Sequence, residues 1–249
     1  MMPLTYLIIL VLLYFTATAV GVVTGGNSLI TVPVMFQMGI DPKTAIATNM
    51  FGLTFMAAGA TIPFYRRGMI DPKGLLPLVL LTLAGSAIGA VLVGYAKTEW
   101  IPVIVSISML VVATFTLLRK EAGVKSGTEP KQIAKYLTLS LGFLLAVYGG
   151  FYSGGYITVM TAVLVAFYGM TFSQAIAGTK FLNLFSSLIA TLVFMWQGLV
   201  DYSLGAILAV TMFAAAYFGA RTVTRLNEIW LKRIFLSSVF LLALLMLLF

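Results

Sequence analysis

The chain contains no cysteine and no histidine, and only seven of its 249 residues are acidic. Without cysteine there can be no disulfide, thiol nucleophile or thiolate metal site. Without histidine the commonest metal ligand and the usual proton-shuttling side chain are missing as well. Charged residues make up 9% of the chain, against roughly a quarter in soluble domains. The acids Asp41, Asp71, Glu99, Glu121, Glu129, Asp201 and Glu228 all fall at the ends of apolar runs or in the middle linker. No carboxylate is therefore available inside an apolar run for a proton relay or a cation site. An intramembrane enzyme is argued against on the same ground, because base, nucleophile and metal ligands are all wanting. Neither a cofactor nor a metal site is expected.

Hydrophobic residues, by contrast, account for 61% of the chain. Apolar runs of about 18 or more residues recur along its whole length, which defines an all-α polytopic membrane protein. The net charge of +8 sits in short loops, where lysine and arginine set orientation, so no nucleic-acid partner is expected. Leu7 to Phe15, followed by Thr16-Ala17-Thr18-Ala19, has the outline of a signal peptide. It lacks a basic leader segment, and its internal counterpart is Tyr136 to Gly149, so a retained membrane segment is the expectation.

The chain matches itself at an offset of 130 residues without gaps. Tyr6 falls on Tyr136, Gly25 on Gly155, Thr31 on Thr161, Gly39 on Gly169, Gly68 on Gly198, Asp71 on Asp201, Gly89 on Gly219 and Trp100 on Trp230. Glycines, aspartates and tryptophans holding one constant offset mark an internal repeat. The expected organisation is a first transmembrane repeat over 1–118, a charged linker over 119–133 and a second repeat over 134–249. Each repeat pairs a glycine-broken or re-entrant helix pair with three long transmembrane helices. The loop with Arg66, Arg67 and Lys73 is basic, whereas its counterpart around Asp201 carries no positive charge. The two repeats are therefore expected to be inverted, with the basic loops in the cytoplasm and both termini outside.

Two stretches carry the candidate site. Gly149-Gly150-Phe151-Tyr152-Ser153-Gly154-Gly155-Tyr156 leads to Gly178-Thr179-Lys180, and Gly21-Val22-Val23-Thr24-Gly25-Gly26-Asn27-Ser28 leads to Thr48-Asn49. Matching breaks in the two halves of a membrane protein point to a substrate site between interrupted helices. Helices restarting after the breaks would turn free N–H groups and positive dipole ends toward an anion. Either glycine pair alone could equally serve close helix packing. Lys180 is the one charge set well inside an apolar run, roughly 10 Å from its start at 1.5 Å per residue. The alternative for it is a lysine that snorkels to the nearest interface. Gly178, Thr179 and Asn183, with Thr48 and Asn49, would surround that charge with amide and hydroxyl groups. Asn27, Ser28 and Ser153 would add donors. Asp41-Pro42 and Asp71-Pro72 are read as helix N-caps followed by a first-turn proline, and Asp201 as a third cap.

These residues, in this order and in both halves, resemble the TauE/SafE membrane permeases, the sulfite exporters. The resemblance covers essentially the whole chain. It rests on the glycine clusters, Pro33, Gly39, Ala47-Thr48-Asn49, Arg67-Gly68-Met69-Ile70-Asp71, Gly169, Gly178-Thr179-Lys180, Asn183, Gly198-Leu199-Val200-Asp201 and Gly219-Ala220. The chain departs from the pattern in its shorter glycine clusters and in Val163, the counterpart of Pro33. The resemblance implies transport of sulfur-containing anions such as sulfite, thiosulfate or organosulfonates across a bacterial or archaeal inner membrane. The expected partners are thus a small anion and the bilayer. A homodimer would suit a membrane protein of this size, but no residue specifies one. An anion channel, or a permease for another small organic anion, would share the same features.

Overall fold

The computed structural model describes residues 4–107, 111, 132–227, 229–230 and 233. The linker expected over 119–133 lies outside them except for its last two residues. So do most of the expected fifth segments, Ile101–Leu118 and Leu231–Phe249. Eight helices are assigned: α1 (Leu4–Thr24), α2 (Asn27–Gln37), α3 (Pro42–Arg66), α4 (Pro72–Tyr95), α5 (Gln132–Phe151), α6 (Tyr156–Phe167), α7 (Phe172–Trp196) and α8 (Tyr202–Val223). Residues 100–107 and 229–230 are helical as well. No strand occurs among the described residues.

Six of these helices, α1, α3, α4, α5, α7 and α8, are long and apolar enough to cross a bilayer. Helices α2 and α6, of 11 and 12 residues, reach roughly 17 Å at 1.5 Å per residue. That is about half of a hydrocarbon core of roughly 30 Å. Large apolar side chains such as Leu12, Leu80 and Val210 point outward on the spans, as expected where the surrounding solvent is lipid.

Local chemistry sets the helix ends. Asp41 caps α3 by accepting the Thr44 N–H at 3.1 Å, and Pro42 opens the helix. Asp71 caps α4 ahead of Pro72 and accepts from the Lys73 N–H. Thr171 caps α7 in a reciprocal box with Gln174, and Asp201 caps α8 through the Leu204 N–H. The expected aspartate caps are all present. At the C-terminal ends, α3 and α7 close alike. The N–H of Met69 reaches back to Phe64, and that of Leu199 to Phe194. Each closure turns through a glycine of positive φ, Gly68 or Gly198. This left-handed closure leaves no Cβ to clash and satisfies otherwise orphaned carbonyls.

The two halves match element by element. All six glycines of positive φ among the described residues form three pairs 130 residues apart: Gly25 and Gly155, Gly39 and Gly169, Gly68 and Gly198. Packing follows the same correspondence. Helices α3 and α7 lie against each other at the centre; α3 packs on α8 as α7 packs on α4; and α1 packs on α8 as α5 packs on α4. Lipid gives little hydrophobic drive between helices, so contacts rely on small residues and polar pairs. A Cβ at Gly89 would overlap the Val147 carbonyl of α5, and one at Gly150 would overlap the Ser86 carbonyl of α4. Hydroxyl pairs join α3 to α7 (Thr54 and Thr191, 3.1 Å) and α4 to α7 (Ser86 and Ser186, 2.7 Å).

Candidate functional site

The chain breaks between α1 and α2 at Gly25-Gly26 and between α5 and α6 at residues 152–155. Gly25 (φ +73°) and Gly155 (φ +79°) make the left-handed turns, which glycine adopts at little cost. The two breaks meet inside the molecule. The hydroxyls of Ser28 and Ser153 lie 2.9 Å apart. The Tyr152 hydroxyl donates to the Ser28 carbonyl at 2.9 Å, and the Thr158 hydroxyl donates to the Thr24 carbonyl at 2.6 Å. The Tyr148 hydroxyl donates to the Gly154 carbonyl. Gly25 is packed so closely on the start of α6 that a Cβ there would lie 2.5 Å from Ile157 Cβ and 2.9 Å from the Thr158 nitrogen. Glycine thus serves both readings at this position, the break and the close approach.

The helices that restart after the breaks differ from α3, α4, α7 and α8 in how they begin. Neither Gly26 before α2 nor Gly155 before α6 supplies a side-chain cap, whereas α3, α4, α7 and α8 each have one. Gly26, Asn27 and Ser28 are buried, as are Ser153, Gly154 and Gly155. Two amides there are partnered within the protein, the Gly26 N–H by the Thr24 hydroxyl at 3.4 Å and the Tyr156 N–H by the Ser153 carbonyl at 3.1 Å. The others lie at the positive end of a buried helix dipole.

Asn49, on α3, ties the first break to the bundle. Its side-chain oxygen accepts from the hydroxyls of Tyr14 (3.2 Å) and Thr31 (3.1 Å). Its amide nitrogen donates to the Ser28 hydroxyl at 3.1 Å. The second half repeats one of these bonds in simpler form, with the Thr161 hydroxyl donating to that of Thr179 at 3.2 Å. Asn27 donates to the Met56 sulfur at 3.3 Å.

Lys180 is completely buried, which sets aside the alternative of a lysine snorkelling outward. It is the one charged side chain among the buried residues described. Its ammonium donates to the Gly21 carbonyl at 2.8 Å, in the last turn of α1. The same carbonyl accepts the Gly25 N–H at 2.9 Å. An ammonium has three donors, and the described protein groups use one of them. One turn further along α7, the Asn183 side-chain nitrogen is buried and has no partner.

The sequence-nominated residues divide accordingly. Gly25, Gly26, Asn27, Ser28, Asn49, Ser153, Gly154 and Gly155 cluster at the meeting of the breaks, and Lys180 reaches its near edge. Thr48 does not join them, because its hydroxyl accepts the Asp201 N–H at 3.0 Å, toward the start of α8. Gly178 instead faces Leu75, Leu164 and Met170. Thr179 gives its proton to the Ala175 carbonyl of its own helix. Tyr14 was not nominated. It lies in an unbroken apolar run, and its repeat counterpart is Leu144, so neither pattern nor repeat marked it.

An open cavity of about 1080 Å³ lies near the start of α1, the end of α2 and the start of α8, lined by residues including Met38 and Leu204. Their counterparts in the other half, Tyr168 and Gly74, are joined by a bond of 2.7 Å from the tyrosine hydroxyl to the glycine carbonyl.

Six apolar spans around a buried polar centre, with two half-length helices, are the architecture of a multi-pass membrane protein. The model of the sulfite exporter TauE/SafE family matches residues 10–246, and the chain belongs to that family. Among its relatives is the "Probable membrane transporter protein ORF9" of Sinorhizobium sp, 28% identical over 208 residues, 83% of this chain and 79% of the relative. The "Probable membrane transporter protein YfcA" of Escherichia coli strain K12 is 28% identical over 222 residues, 87% of this chain and 81% of the relative. A "Probable membrane transporter protein" of Haemophilus influenzae is 24% identical over 211 residues, covering 84% and 82%. No solved structure matches the chain.

Proposed function

We propose that the protein is a secondary transporter that exports small sulfur-containing anions, such as sulfite, thiosulfate or organosulfonates, across the cytoplasmic membrane by alternating access. The observation that carries this reading is Lys180, a single buried lysine beside two helix starts that lack side-chain caps. Burying a charge is costly unless it is paired, and the buried residues described include no carboxylate to pair with it. A small oxyanion would supply that pairing. It would take donors from Lys180, from the amides that open α2 and α6, and from Asn27, Ser28, Asn49, Ser153 and Asn183. Such a centre repels a cation and leaves a neutral solute facing an unpaired charge.

Alternating access draws on the unequal state of the two halves. An open cavity at Met38 and Leu204 corresponds to a hydrogen-bonded contact at Tyr168 and Gly74. Rocking of inverted repeats exchanges such arrangements between the two sides of the membrane. In this reading the basic loops are cytoplasmic, both termini lie outside, and the membrane is the inner one. A second copy of the chain is compatible with the mechanism and not required by it.

The test is counterflow in proteoliposomes with sulfite, thiosulfate, sulfoacetate, sulfate and a neutral amino acid. Saturable counterflow of one or more sulfur oxyanions, with none of the amino acid, is the expected result. Flux that rises without saturation and shows no counterflow would identify a channel. A panel in which no sulfur anion moves would end the substrate assignment.

A further inference from the structure

The ends of α3 and α8 form a second site of a different kind. Arg66 and Arg67 at the end of α3, and Arg221 and Arg225 at the end of α8, line a groove of about 370 Å³ together with Pro63, Tyr217 and Thr224. All four arginines are exposed. Arg221 and Arg225, one helical turn apart, also border an adjoining groove with Phe218 and Leu226. Phe218 is an exposed apolar side chain on a membrane-spanning helix, so the basic groove opens directly beside lipid-facing surface.

The duplication supplies an internal control. At the equivalent junction of α7 and α4 the four arginines are replaced by Trp196, Gln197, Val91 and Tyr95. There the protein closes on itself, with the Gln197 amide donating to the Val91 carbonyl at 3.4 Å, while Trp196 and Tyr95 lie exposed. The helix junction therefore forms without arginine. Orientation by positive charge accounts for the sign of these residues, but it acts equally well from scattered positions. It gives no reason for four guanidinium groups to converge on one groove. Some of this charge compensates the negative ends of two helix dipoles, but at the equivalent junction a single lysine does so for α4, with Lys43 donating to the Gly94 carbonyl at 2.8 Å.

We propose that this groove binds the phosphate headgroup of an anionic phospholipid, bridging the ends of α3 and α8. Guanidinium forks match phosphate oxygens in pairs, and basic pockets between membrane helices at the interface suit acidic headgroups. The acyl chains would lie along the surface presented by Phe218. Lipid rather than free phosphate is the favoured source, because the groove sits at the ends of two candidate spans and is continuous with their apolar surface. The site is separate from Lys180 and stands whether or not the anion-transport reading does.

The experiment uses the full-length protein in detergent, titrated with phosphatidylglycerol, phosphatidylethanolamine or inorganic phosphate. It reads retained lipid by native mass spectrometry and the thermal midpoint in parallel. Phosphatidylglycerol is expected to be retained and to raise the midpoint, with the other two ineffective. Arg221→Gln with Arg225→Gln is expected to weaken phosphatidylglycerol binding about thirty-fold, taking ~1 kcal/mol for each arginine. Arg221→Lys with Arg225→Lys keeps the charge and the orientation signal but loses the paired geometry, and should weaken binding less than the glutamine pair. It carries the test if the glutamine variant fails to insert. Equal retention of the two lipids, or native-like phosphatidylglycerol binding in both variants, would overturn the proposal. A full shift with inorganic phosphate alone would overturn the lipid assignment and leave a soluble-anion site.

Discussion

Lys180→Ala is expected to lower sulfur-anion binding and counterflow on the order of a hundredfold, the usual scale for removing one partner of a buried charged contact. Folding should change far less. The variant loses one hydrogen bond to the Gly21 carbonyl, worth about 1 kcal/mol, but is also relieved of an unpaired buried charge. The competing account makes Lys180 a cap on the C-terminal end of α1, where a cation meets the negative end of the dipole. That account expects a loss of stability with apparent affinity unchanged. Measuring the thermal midpoint and the half-saturating anion concentration on one preparation separates the two. Unchanged half-saturation in a destabilised variant would make Lys180 structural.

Gly25→Ala is expected to be the most damaging small substitution at the breaks. The residue has φ +73°, which costs an alanine about 1–2 kcal/mol. Its Cβ would also sit 2.5 Å from Ile157 Cβ, adding about 1–3 kcal/mol of overpacking. Gly68→Ala is the control. It has nearly the same backbone conformation, φ +67°, but no atom within 4 Å of the added Cβ, so only the first cost applies. Thermal unfolding of both variants in detergent should show a clearly larger drop for Gly25→Ala. Equal drops would mean that the breaks do not press together as described.

The sequence was legible where punctuation is local and duplicated. Glycines at turns and aspartates before helices have one conformational use each. Finding the glycines, and the pair Asp71 and Asp201, twice at one offset exposed the breaks and two of the caps. Asp41 is legible from the proline after it, whereas its counterpart Thr171 carries no such mark. Side-chain direction was not legible in the same way. Thr48 and Asn49 are adjacent, yet helix rotation sends one hydroxyl to α8 and the other side chain to the break. The tyrosines that brace the centre escape repeat logic, because Tyr14 and Tyr152 correspond to Leu144 and Val22. Where the halves differ chemically, the repeat gives no signal. Arg66, Arg67, Arg221 and Arg225 lay in plain view as loop charges. Only the packing of α3 on α8 shows that they share a groove.

In the proposed mechanism the transported anion sits where the two breaks meet. The natural absence of cysteine allows a direct measurement. Ser153→Cys places a single thiol at that meeting point, 2.9 Å from Ser28 at the native hydroxyl. Once the variant is shown to transport, maleimide labelling is followed with and without a saturating sulfonate that it carries. Labelling slowed severalfold by the sulfonate, but not by a neutral amino acid, is the result predicted here. Labelling at the same rate with and without a transported anion would contradict the claim and move the site away from the breaks.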